Sequence, residues 1–209
     1  EAIREASKQE IIRRSFDTEC DYKKGLSDEE TRDHMRLIME ELELKQEDRA
    51  PVKPARAYAE RLMKRTVDNE IPAVIAFELN DGRIITGRTS DLMDACSSAI
   101  LNAIKALANI SDDILLLSPV ILEPIKKLKS DGLHKRIPTL TANEILIALS
   151  ISAVTNPTAQ LAYDKLSELK DVQAHSTVIL NKDDDQILRN LGLDITCDPV
   201  YPSENLYYV

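Results

Sequence analysis

The segment from residue 73 to residue 86 limits the fold more than any other part of the chain. Two short runs of β-prone residues, 73–79 and 83–86, flank Asn80-Asp81-Gly82, the residue types that tolerate the left-handed backbone of a tight hairpin turn. The second run then hands over, through Gly87-Arg88-Thr89-Ser90-Asp91, to an amphipathic helix. Leu92, Cys96, Ala99, Ile100, Ala103 and Leu107 recur along it at helical spacing and form one apolar face. A strand pair feeding a helix of small buried residues predicts a sheet packed closely beneath that helix.

The charged residues are unevenly distributed. The first 70 residues carry 33 charged side chains and the remaining 139 carry 30, so an internal boundary is expected near Ile71-Pro72. Before it, Ile12, Phe16 and Cys20 share a helical face that Gly25 closes. Ser27 with Glu30 reads as a capping box for a second helix carrying Met35, Ile38, Met39 and Leu42. A third helix is expected over residues 55–69. Narrow apolar stripes opposite dense charge predict a helical arm that packs on something else.

Beyond the hairpin, Ser118-Pro119 and Asn156-Pro157 are helix starts, Thr141 with Glu144 is a capping box, and residues 145–154 are apolar almost all round. Residues 174–180, 183–191 and 193–197 read as strand, helix and strand, with Gly192 between the last two. The expected class is α+β: predominantly helical, with a small mixed sheet built from the hairpin and the C-terminal β-α-β unit. Residues 1–70 are expected as a charged arm of three helices and 71–209 as the α+β domain.

A net charge of -9 argues against binding nucleic acid through its phosphates, and no run approaches the roughly 18 apolar residues of a membrane span. Three scattered cysteines, Cys20, Cys96 and Cys197, fit neither a disulfide framework nor a zinc site and point to a reducing cytoplasm. The start at Glu1, already in helical register, predicts a piece of a longer polypeptide whose remainder is its natural partner.

Thr89, Ser90 and Asp91 lie where free N–H groups at a helix start would favour an anion, although Ser and Asp are equally good caps for their own helix. Ser98, Asn102, Lys105 and Asn109 form a polar stripe that fits a groove floor or a solvated surface. Asn156 offers a second helix start. His175 is the best single titratable candidate, beside a core strand, but its neighbour Ser176 points to the opposite face and cannot be its nucleophile. The binding candidates are therefore Thr89, Ser90, Asn102, Lys105, Asn156 and His175, with functional weight only if they converge. No catalytic residue and no metal ligand set emerges; Asp112-Asp113 and Asp183-Asp184-Asp185 read as carboxylates at helix starts.

Four stretches carry a family resemblance: Glu5-Ala6-Ser7-Lys8-Gln9-Glu10-Ile11-Ile12-Arg13-Arg14; Gly87-Arg88-Thr89-Ser90-Asp91-Leu92; Glu144 to Ala153 running on to Thr155-Asn156-Pro157-Thr158-Ala159; and Ala174-His175-Ser176-Thr177-Val178-Ile179-Leu180. In that order they resemble the C-terminal part of the bacterial domain-of-unknown-function family 1846, also called uncharacterised protein family 0371. The resemblance implies an upstream glycine-rich segment, similar to a phosphate loop, that is absent from these residues. It carries no catalytic residue over. The expected function is that of a C-terminal accessory domain contributing to an interdomain cleft for an anion, with any nucleotide held by the full-length protein. The alternative is a structural or homo-oligomerising module without a ligand.

Overall fold

The computed structural model describes residues 2–64, 72–134 and 139–202. Helices α1 (Ala2–Lys23) and α2 (Glu29–Glu41) form an antiparallel pair, and a 3-10 turn (Gln46–Asp48) leads into α3 (Val52–Met63). The hairpin follows as β1 (Val74–Glu78) and β2 (Ile84–Arg88). Next come α4 (Ala95–Leu107), α5 (Pro119–Lys127) with a π turn (Leu128–Gly132), α6 (Ala142–Ala153) and α7 (Pro157–Asp164) with a 3-10 turn (Lys165–Leu169). Strand β3 (Gln173–Ser176), α8 (Lys182–Asn190) and β4 (Asp194–Cys197) complete the chain.

The strands form one mixed sheet in the order β2-β1-β3-β4. Strand β1 is antiparallel to both neighbours, whereas β3 and β4 are parallel, so β2, β3 and β4 all point the same way. The expected class, α+β with a small mixed sheet covered by helices, is the observed one. Strand β3 ends sooner than expected because Ser176 turns the chain: its hydroxyl accepts the Val178 N–H and donates to the Val178 carbonyl. Residues 65–69 of the expected third helix lie outside the described residues.

Alternation of side chains gives the sheet two unlike faces. On one face Ile75, Phe77, Leu79, Ala174 and Ile195 join Ala99, Ile100, Ala103, Ile145, Ala148, Leu149 and Leu188 in the main aliphatic core, under α4, α6 and α8. On the other, Val74 and Ala76 meet Ala55 and Ala59 of α3. Phe16 of α1, in turn, lies against the His175 ring at 4.8 Å. The narrow stripes of α1 and α3 thus find their partner within this chain.

Local chemistry explains the helix ends. Asp28, not Ser27, caps α2 and accepts the Thr31 N–H at 2.8 Å. The expected boxes at Thr141 and Glu144, and the caps Ser118 and Asn156 each followed by proline, are present. Helix α4 starts later than its apolar spacing suggests. Leu92 and Leu140 exchange backbone hydrogen bonds with their surroundings, Leu140 donating to Leu92 and Asp94 to Leu140, and these hold the chain extended until Asp94 caps the helix.

Gly87 permits the approach of α4 to β2. A Cβ there would stand 2.1 Å from the Ala99 nitrogen and 2.5 Å from its Cα, so relief would require moving backbone. Gly87→Ala should therefore lower the stability read from the urea midpoint by about 3 kcal/mol, at the upper end of overpacking costs. Gly82→Ala, at φ +81 with open space around its Cβ, should cost only about 1 kcal/mol. Equal midpoints for the two variants would contradict the close approach.

Candidate functional site

The six candidate binding residues do not meet. Ser90 closes its own turn, its hydroxyl accepting the Leu92 and Met93 N–H groups, and the Thr89 N–H bonds the Ala73 carbonyl. The Asn156 side chain accepts the Thr158 and Ala159 N–H groups as a cap. It follows the carboxyl end of α6, whereas Leu140, bonded to the segment after Ser90, precedes the amino end. A helix of 12 residues separates them by roughly 18 Å. Asn102 bonds the Thr86 carbonyl at the free edge of β2, and the Lys105 ammonium bonds the Asp112 carbonyl. His175 is 0% exposed, on the sheet face beneath α1 and α3.

Helix starts that could attract an anion are already occupied by the chain's own carboxylates. Asp94 accepts the Ser97 N–H, Glu144 accepts the Thr141 N–H and the Lys129 ammonium, and Asp184 sits in the first turn of α8 beside Asn181. Burial and the nearby charge of Asp94 push Asp184 up to about 6.

Around His175 lies a charged cluster that sequence patterning does not reveal. Arg49 is fully buried; one guanidinium nitrogen reaches Asp194 Oδ2 at 3.1 Å, another donates to the Asp194 carbonyl, and Nε has no partner among the described residues. Arg56 grips both oxygens of Asp198, at 3.1 and 3.2 Å from Nε, and also engages Gln46 and Glu47. The Thr196 hydroxyl lies 2.9 Å from His175 Nδ1 and 3.2 Å from the Ala174 carbonyl, with one proton to share. Asp198 Oδ1 faces Nε2 at 3.4 Å, too long for a good hydrogen bond.

Burial holds the His175 pKa below its ordinary value despite Asp198. Burial raises Asp198, but the facing His175 ring and the hydrogen bonds from Arg56 outweigh this and bring it below its ordinary value. This cluster ties the turn and α3 to the sheet. His175 has no solvent exposure within it.

A surface cavity lies past the carboxyl ends of β3 and β4, between α1 and α8. It measures about 590 Å³ and is lined by Asp17, Cys20, Asp21 and Lys24 from α1, Lys182, Asp185 and Arg189 from α8, and Cys197. Burial pushes the Cys20 and Cys197 thiols up to about 12, so neither is a thiolate nucleophile. Cys20 donates to the Cys197 carbonyl at 3.2 Å. Arg189 is paired with Asp185, whereas Lys24 and Lys182 have no ion-pair partner among the described residues. The i,i+4 and i,i+3 patterns mark α1 and α8 as helices, but nothing in their spacing shows that they meet.

A pH test isolates His175. An unfolded histidine titrates near ~6.5, so below that value the unfolded chain takes a proton that the buried ring refuses, and acid lowers stability. Asp184 acts in the opposite sense, being protonated when folded at pH values where the unfolded carboxyl is ionised. His175→Gln should be less stable than the native chain at neutral pH, and the gap should narrow as pH falls below ~6.5. A gap that stays constant in chemical denaturation across that range would contradict the buried neutral ring.

The C-terminal model of the domain of unknown function DUF1846 matches residues 47–207, and its N-terminal model matches residues 1–43. The whole chain is 59% identical to part of a UPF0371 protein of Clostridium botulinum strain Eklund 17B, 58% to one of Clostridium tetani strain Massachusetts and 58% to one of Clostridioides difficile strain 630. It spans 41 to 42% of the length of these relatives. With both halves of the family represented on one continuous fold, this chain belongs to the DUF1846, or UPF0371, family.

Proposed function

We propose that the chain is the C-terminal companion part of a larger protein, and that the cavity between α1 and α8 is its contribution to an interdomain cleft for a small anion. The carrying observation is that Lys24 and Lys182, on one cavity, have no ion-pair partner among the described residues, where Arg49, Arg56 and Arg189 are all paired. Its position adds support, because ligands of open α/β sheets favour the crevice outside the carboxyl ends of strands. Helix α1 falls in the segment matched by the N-terminal model, so the cavity has one wall from each half of the family pattern. Arg13, with Asp194 3.9 Å away, and the Phe16–His175 contact hold that wall against the sheet.

The anion would be a phosphate, a nucleotide phosphate or a small carboxylate, each met by lysine as a point charge. In the full-length protein, a saturating anion of one of these classes should raise Tm by several degrees, and Lys24→Ala with Lys182→Ala should abolish the shift without lowering the unliganded Tm. An unchanged Tm with every one of these anions would remove the proposal.

A second reading, self-association, is favoured by Leu26 in the turn before α2, Leu37 on α2 and Leu42 at its end, which are 75%, 56% and 51% exposed. Deleting the arm would not test it, because α1 and α3 cover the sheet. Leu37→Asp with Leu42→Asp should instead convert a dimer to a monomer in light scattering. A native protein that is monomeric at every concentration measured would end this reading.

A further inference from the structure

The two edges of the sheet are finished differently. At β4, Cys20 of α1 bonds the Cys197 carbonyl, and the cavity-lining helices α1 and α8 flank the strand. At β2 the flank is open among the described residues. The register pairs Ile75 with Gly87 and Phe77 with Ile85, and the bonds from Thr89 to Ala73 and from Leu79 to Arg83 continue the same alternation. In an antiparallel pair, this turns the backbone groups of Ile84, Thr86 and Arg88 away from β1, outward from the sheet.

Those outward groups border a groove of about 500 Å³ between the two helical layers, with Tyr58 of α3 on one side and Ser98, Asn102 and Ala106 of α4 on the other. Its floor is Ile84 to Arg88, a span of roughly 13 Å, enough for three or four extended residues. The Asn102 amide already donates to the Thr86 carbonyl at 2.9 Å, as the N–H of an added strand would. Because that side chain is exposed, it can turn aside for the loss of about one ordinary hydrogen bond.

We infer that the β2 edge accepts an extended segment with an acidic side chain beside Arg88, supplied by the part of the longer polypeptide that lies outside this chain. Arg88 is exposed, its only side-chain hydrogen bond among the described residues is to the carbonyl of the adjacent Thr89, and it has no ion-pair partner among them. Asp112 also lines the groove, so a single acidic residue fits better than a polyanionic run. A second copy paired antiparallel about Thr86 would set Arg88 opposite an isoleucine and leave the guanidinium unmatched. More than half the length of the relatives lies beyond this chain, and a tethered segment binds at high effective concentration. Strand addition supplies main-chain hydrogen bonds for affinity, and Arg88 supplies the choice of residue.

The inference rests on the companion-domain reading but not on the anion cleft. In the full-length protein, mass-spectrometric hydrogen exchange should find the amides of Ile84, Thr86 and Arg88 protected at least ~100-fold over exposed loop amides, independently of protein concentration. Thr86→Pro removes an outward N–H without touching a bond to β1, and should cancel the protection at Ile84 and Arg88 while β1 remains protected. Arg88→Glu should weaken it about tenfold or more. Fast exchange at all three amides would overturn the inference even if anions still raise Tm, whereas protection without an anion shift would overturn only the cleft. Protection that disappears on dilution would replace the tethered segment with a second copy and likewise overturn it.

Discussion

Arg49 has no solvent exposure, and its charge is met where β4 begins, by the side chain and carbonyl of Asp194, with the Ala174 carbonyl 3.5 Å away. A guanidinium in that position is costly to desolvate, and losing its partner would leave a buried charge unpaired. The pairing fixes the turn before α3 against β4, while Arg56 and Asp198 fix α3 itself one step further along. Without these contacts the face bearing His175, Thr196 and Asp194 would have no cover suited to its polarity. The helical arm and the sheet therefore form one packed unit through charge as well as through Phe16, Ala55 and Ala59.

That arrangement also governs where a ligand could enter. The polar face of the sheet is sealed, so His175, the most conspicuous titratable residue, sits in the interior without access. Helix starts at Asp94, Thr141 and Asn181 are satisfied internally. Two openings lie at the margins of the sheet: the cavity past β3 and β4, where Lys24 and Lys182 have no ion-pair partner among the described residues, and the groove along β2. Both margins face outward from a chain that spans about two fifths of its relatives, which is where a companion domain would meet the rest of its polypeptide.

Much of the local structure can be read from short-range chemistry. Asn80-Asp81-Gly82 turns the hairpin because Gly82 takes φ +81, Thr141 and Glu144 satisfy one another across a single helical turn, and Asn156-Pro157 opens a helix without help from distant residues. The small residues of α4 foretell its closeness to the sheet. The start of that helix is less legible, because Leu140, far along the chain, holds Leu92 extended. For the same reason, Thr89 and Ser90 look like a helix start in sequence and are a turn in space.

The sequence alone determined the class of fold, the hairpin, the caps of α5, α6 and α7 and the apolar faces of α1 and α4, since these depend on residues within a few positions of one another. Only the tertiary structure decided that Arg49 meets Asp194, that Arg56 meets Asp198 and that Lys24 and Lys182 share a cavity. Those pairs are separated by more than a hundred residues, and no spacing rule encodes which charge on one helix will face which charge on another. The hairpin keeps its place in both accounts: its residues specify the turn, but whether β2 is an inner strand or an open edge is settled by what the rest of the fold leaves beside it.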